Sequence, residues 1–243
     1  MTAYPSSPSR HRRLFAVTMI ALGIYLNVPF SIFGATFSYP GILRQPTAEI
    51  LVRFHQGGAS LILTWYAFVL AALGLVPLAV LAYRQAKPAQ QTVALLAAVA
   101  GVAAGLFQTV GLIRWVFVVP SLAQTFTDVN STPATRDAVV VAFQALHQFA
   151  GVGIGEHLGQ LATASWAALL SLALARDRAI SRLCAGLGLL SAGMIFIGLI
   201  EGFTTVMTFA IGPLGALTPV GYVALTVWMI WVGIAVWNKP VVD

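Results

Sequence analysis

The hydrophobic positions of this chain fall into six long runs that show no alternation of period two. They lie at about residues 14–37, 58–83, 92–119, 150–175, 183–203 and 220–237, and the fourth begins somewhere between Val139 and Val152. Charge, proline or a polar cluster bounds each run. A helix needs about 20 mostly apolar residues to cross a hydrocarbon core about 30 Å thick, and each run is of that order. An outer-membrane barrel would alternate polar and apolar residues instead. The pattern therefore predicts an all-α polytopic membrane protein, a bundle of six transmembrane helices in a single domain over residues 1–243. Arg10, Arg12 and Arg13 precede the first run as they would a secretory signal. A signal's apolar core is only about 7–15 residues, so the first run reads as a retained helix with Asn27 and Pro29 inside it.

Composition narrows the class. Of 243 residues 59% are apolar and 8% charged, whereas a soluble domain carries about a quarter charged residues. So little charge cannot cover a water-exposed globule, which excludes a soluble enzyme domain, a disordered chain and a nucleic-acid binder. The lone cysteine, Cys184, rules out an intrachain disulfide. The net charge of +6 is accounted for by topology. Nine of the thirteen basic residues (Arg10, Arg12, Arg13, Arg84, Lys87, Arg176, Arg178, Arg182 and Lys239) fall on one side of a six-span chain. By the positive-inside rule that side is cytoplasmic, so both termini of a cell-membrane protein are expected in the cytoplasm. The lipid bilayer, with its anionic headgroups, is the expected partner of this charge, and no nucleic acid is needed.

The links on that side are short, and the outer ones are long: Ser38–Gln56, Pro120–Ala138 and Thr204–Pro219. A short helix is expected to start at Thr47 with Glu49 in its first turn. The second outer link is rich in turn formers and reads as a loop.

Ionisable groups at membrane depth are costly and need partners. Counting from the basic side at about 1.5 Å per residue puts Arg114, Glu156 and Glu201 all about 30 Å away, at the outer boundary. Arg53 and His55 open the second span from the same side. The fourth span adds His147, His157 and Gln160, together with glycines at 151, 155 and 159 whose spacing allows another helix to approach closely. The stretch from Phe143 to Gln160 reads as helix, and at helical spacing Glu156 shares a face with Gln160 and Thr163. The outer polar cluster expected from these counts is Arg53, His55, Arg114, His147, Glu156, His157, Gln160 and Glu201, with Glu156 paired to Arg114. The tryptophans read as belt and packing residues.

Chemical motifs are sparse. No His-x-x-x-His or Glu-x-x-His spacing marks a metal site; were a metal held, the donors would come from His55, His147, Glu156, His157 and Glu201. Haem would need His55 opposite His147 or His157. Ser-x-x-Lys, Gly-x-Ser-x-Gly and His-Glu-x-x-His are absent. Asn27, Pro29, Pro77 and Gln108 are the only features near mid-membrane that suggest an ion path. The expected function is non-enzymatic binding of a small molecule, lipid or partner subunit at the outer cluster. An intramembrane metal- or haem-dependent enzyme or redox protein, and a transporter or channel, are the alternatives.

Several stretches resemble the bacterial membrane proteins grouped as DUF4386. They are the run from Tyr39 to Arg44, the run from Arg53 to Gly58, Trp65-Tyr66, the segment from Arg114 to Pro120, and the block from Gly155 to Gln160. The resemblance extends from the first span to the fifth. It departs at the turn before the fifth, which often reads Pro-Arg in the family and is Ser181-Arg182 here. It implies a six-helix polytopic protein with no assigned activity and carries over no catalytic residue.

Overall fold

Helices make up all the regular structure among the residues that the computed structural model describes, 8–208, 210 and 212–239. Six helical stretches are long and apolar enough to cross a membrane: Arg10–Thr36, Thr47–Tyr83, Pro88–Thr127, Pro133–Arg176, Arg182–Phe203 and Gly212–Trp237. The chain is a multi-pass integral membrane protein of the all-α class, as the hydrophobic pattern predicts.

Local chemistry sets where these stretches bend. Helix α1 (Pro8–Tyr25) breaks at Leu26 and resumes as α2 (Asn27–Thr36). Pro29 has no N–H to offer the Tyr25 carbonyl, so the ladder fails at that turn. Helix α3 (Thr47–Tyr83) starts at the expected Thr47 with Glu49 in its first turn. It kinks at Gly58, where φ is +55° and ψ −150°, a conformation open essentially to glycine alone. The kink falls where the second hydrophobic run begins. Helix α4 (Gln91–Phe117) is followed after Val118 by α5 (Val119–Thr127).

The second outer link is a correction to the sequence reading. It is not a loop from Pro120 to Ala138: α5 continues to Thr127, and α6 (Pro133–Leu146) starts after five intervening residues. Each helix carries proline in its first turn, where the missing N–H costs nothing. Thr132 caps α6 by accepting from the Thr135 N–H at 3.1 Å. The turn between them is closed by Asp128, which accepts from the Asn130 N–H at 2.8 Å.

A second correction concerns the fourth span, which is not α-helical throughout. Residues His147–Leu158 form a π-helix, after which α7 (Gly159–Arg176) restores α geometry. Helices α8 (Arg182–Gly198), α9 (Ile200–Phe203) and α10 (Leu217–Trp237) complete the chain.

The described chain divides into two units. The first takes the residues up to Ile24, Gly74–Gly105 and everything from Gly159 onward. Its helices pack through glycines. A Cβ at Gly101 would come within 2.7 Å of Trp166, and one at Gly221 within 2.8 Å of Ile195. Trp166 and Trp228 meet edge to face at 5.6 Å.

The second unit comprises Tyr25–Leu73 and Leu106–Leu158. Its core is aromatic: Phe33, Phe37, Phe54, Trp65, Trp115 and Phe143 are all buried. The Trp65 and Trp115 rings stack at 4.7 Å with their planes 8° apart. Edge-to-face and offset pairs of this kind add about 0.5–1.5 kcal/mol each beyond area burial.

Candidate functional site

The second unit holds one deeply buried cation. Arg114 lies in the last turn of α4 and is 5% exposed. Its Nη1 donates to the Gly111 carbonyl, one turn back on the same helix. Its Nη2 is 3.2 Å from His147 Nδ1. A guanidinium can only donate, so Nδ1 accepts and the His147 proton sits on Nε2. The guanidinium carbon lies 5.2 Å from the centroid of the Trp115 ring, within cation–π range. His147 in turn stacks on Phe143 at 5.6 Å. Arg114 is thus clamped between an indole, an imidazole and its own helix backbone, while its buried Nε has no hydrogen-bond partner.

Three further groups complete the electrostatic surroundings. Glu156 stands in the field of Arg114 and of Arg44, and Tyr39 faces Arg114. Arg44 closes a short 3-10 helix, Gly41–Arg44, in the link between α2 and α3.

The π-helix places His147 in contact with Arg114 and Glu156 within its field. They are nine residues apart. At 3.6 residues per turn nine residues make about two and a half turns and put the side chains on opposite faces. A helix bonded i→i+5 has about 4.4 residues per turn, and the same nine residues then make close to two full turns. The buried and exposed positions follow the wider period: Phe149, Gly153 and Leu158 are exposed, four and five residues apart.

Glycine permits the approach. A Cβ on Gly151 would collide with the Arg114 guanidinium, and one on Gly155 would come within 2.7 Å of the Gly111 Cα. Two glycines of the small-residue stripe read from the sequence, Gly151 and Gly155, therefore receive α4.

The structure sorts the expected cluster. Arg114, His147 and Glu156 come together. Arg53 is an exposed residue whose guanidinium pairs with Glu49 one turn back at 2.9 Å and reaches Ser38 Oγ at 3.3 Å. His55 is exposed on α3. His157, with Gln148 and Phe149, lines a shallow surface groove of about 680 Å³. Gln160 and Glu201 belong to the first unit. Glu201 lies in α9, where its main-chain carbonyl accepts from Thr204 Oγ1 at 2.7 Å. Among the described residues no three of His, Cys, Asp and Glu are grouped to hold a metal ion.

Sequence reasoning missed Tyr39, Arg44 and Trp115 as members of the site. Tyr39 and Arg44 sit in the link between α2 and α3, which no helical periodicity aligns with Arg114. Trp115 had a local signal, because it directly follows the arginine whose charge it faces.

A family model described as "Domain of unknown function (DUF4386)" matches residues 14–233. No curated protein and no solved structure matches the chain.

Proposed function

From the premise that this chain belongs to the DUF4386 family, which carries no assigned activity, we propose that the Arg114 cluster binds a small anion at the outer boundary of the membrane. The observation that carries this reading is the Arg114 guanidinium, buried in a spanning helix with its Nε unpartnered. Two arginines, Arg114 and Arg44, act on the single carboxylate of Glu156, so the groups involved sum to a net positive charge. His147 holds the guanidinium through Nδ1, and the Tyr39 phenol acts on the same cation. A carboxylate or phosphate suits this set, since a guanidinium recognises both through parallel bonds. π-Helical segments recur at functional sites because the widened turn re-aims side chains, which agrees with His147 touching Arg114 and Glu156 lying in its field.

The test is thermal stability of the detergent-solubilised protein against a panel of small carboxylates and phosphates. Binding to the folded state raises the midpoint by mass action. The reading expects a shift that saturates with one member of the panel and disappears in Arg44→Gln. A panel without any saturable shift would sink it.

A second reading is transport. Two spanning helices of the second unit depart from α geometry, at Gly58 and over His147–Leu158, and interrupted helices are where transporters place their sites. Flux of the stabilising anion into proteoliposomes distinguishes the two readings.

A further inference from the structure

Four contacts close a ring at the end of the first unit where both terminal helices lie. Arg84 Nη1 donates to His11 Nε2 at 3.4 Å, which ties the start of α1 to the link after α3. The Lys87 main-chain N–H donates to Asp177 Oδ2 at 2.8 Å, tying that link to the one after α7. Lys239 Nζ donates to the Arg178 carbonyl, which brings in the residues after α10. The Arg13 guanidinium lies 5.7 Å from the Trp237 ring centroid and joins α10 back to α1.

The groups that tie the ring cancel little of its charge. They are an imidazole, an indole, a main-chain carbonyl and one carboxylate. Arg12, Arg13, Arg84, Lys87, Arg178 and Lys239 are carried on the four tied elements, and Asp177 is the single acid taking part in the four contacts. Arg178 is held with φ +55°, a conformation uncommon for a residue with a side chain. Asp177 is buried, so its charge is engaged inside the ring. The Lys239 amine sits below its ordinary titration range, first because of burial and then because Lys87 and Arg12 oppose its charge, with Asp177 acting the other way. Repelling cations are thus held together by the fold.

The ring also stands where spanning helices end: Arg10–Thr36 begins there, Thr47–Tyr83 ends there, and Gly212–Trp237 ends there. That is the level of lipid headgroups, and basic pockets between spanning helices are suited to them. We propose that this ring is a binding site for the phosphate group of an anion, with an anionic phospholipid headgroup as the source that its position at the membrane boundary favours. Arg13, Arg84, Lys87, Arg178 and Lys239 supply charge-assisted hydrogen bonds to phosphate oxygens, and the bilayer supplies the phosphate at the right height. The anion then offsets the repulsion that the four ties leave standing.

The test counts lipid retained by purified protein. Protein is equilibrated in mixed micelles of phosphatidylglycerol and phosphatidylcholine, washed, and its bound lipid read by native mass spectrometry. The wild type should retain phosphatidylglycerol at least tenfold over phosphatidylcholine. Lys87→Gln with Lys239→Gln should lose it. Arg176→Gln with Arg182→Gln removes the same charge from the same end, outside the four contacts, and should keep it. Lys87→Arg with Lys239→Arg should also keep it, which separates loss of the site from loss of the fold. If 10 mM inorganic phosphate displaces the lipid, the site takes free phosphate as well; if it does not, the headgroup is the ligand. Equal loss in the two Gln pairs, or equal retention of the two lipids by the wild type, overturns the proposal.

Discussion

Arg114 Nη2 and His147 Nδ1 are 3.2 Å apart although 33 residues separate them in the chain. That contact ties α4 to the π-helix, and Arg114 also acts on the carboxylate of Glu156. Removing the arginine leaves a half-buried acceptor without its donor and a half-buried carboxylate without one of its two cations. Arg114→Ala should cost about 3–5 kcal/mol, the range for breaking a buried charge pair on one side. Arg114→Met with Glu156→Gln removes the uncompensated charge and keeps the volume, and should recover most of the loss. Unfolding in mixed detergent gives both values. A double variant no more stable than Arg114→Ala alone would show that charge compensation is not what the cluster provides.

The glycines of the π-helix make a graded series. At Gly155 a Cβ would stand 2.7 Å from the Gly111 Cα, a backbone atom that cannot turn aside. Gly151→Ala would drive into the Arg114 guanidinium, a side chain fixed by its hydrogen bonds. At Gly153 the nearest atom is the Gln148 carbonyl oxygen, 3.5 Å away, which is ordinary contact. Gly155→Ala should therefore lower the folded yield most, Gly151→Ala next, and Gly153→Ala should be neutral or stabilising, since alanine favours helix over glycine by about 1 kcal/mol. Size-exclusion profiles and melting midpoints rank the three, and a Gly153→Ala effect as large as that of Gly155→Ala would contradict the packing described.

The period of the fourth span can be read directly. Spin labels placed singly from position 147 to 158 should show lipid-phase oxygen access repeating every four to five residues, with maxima near Phe149, Gly153 and Leu158, which are exposed in the structure. An α-helix would repeat at about 3.6 residues. A 3.6-residue period would separate His147 from Glu156 by half a turn and dissolve the shared site.

What could be read beforehand followed from length and spacing. Six hydrophobic runs became six spanning helices, and the run beginning at Gly58 begins at a kink that requires glycine there. The glycine stripe announced a close helix contact, because removing side chains every fourth residue leaves a trough whatever fills it. Matched depth selected Arg114, Glu156 and Glu201; Glu156 lies in the field of Arg114, whereas Glu201 belongs to the first unit. The π-helix was not legible. Its glycines suit a tight α-helix contact equally well, and only the facing α4 backbone selects the wider turn. Helices α5 and α6 were hidden for another reason: proline and threonine signal a turn, and the same residues cap and open a helix. Tyr39 acts on Arg114, and Arg44 on Glu156, through tertiary folding of a link that has no periodicity to extrapolate.

Lys239 provides a titration within the basic ring. Its folded value is depressed by burial and by the charges of Lys87 and Arg12. The sign follows: while charged, the amine opposes the fold, and the opposition is relieved as pH rises through the depressed value towards the ordinary lysine range near about 10.4. At a fixed mildly alkaline pH more of the amine is neutral, hence nucleophilic, than in an unperturbed lysine. Labelling by an amine-reactive anhydride, followed by peptide mass spectrometry, should find Lys239 less reactive in Lys87→Gln and in Arg12→Gln, because a repelling neighbour is gone. Asp177→Asn should make it more reactive, because Asp177 favours the charged form. The two changes act in opposite directions, so a general loosening of the ring cannot produce both. A rise in reactivity on removing Lys87 would mean that access, and not charge, governs this amine.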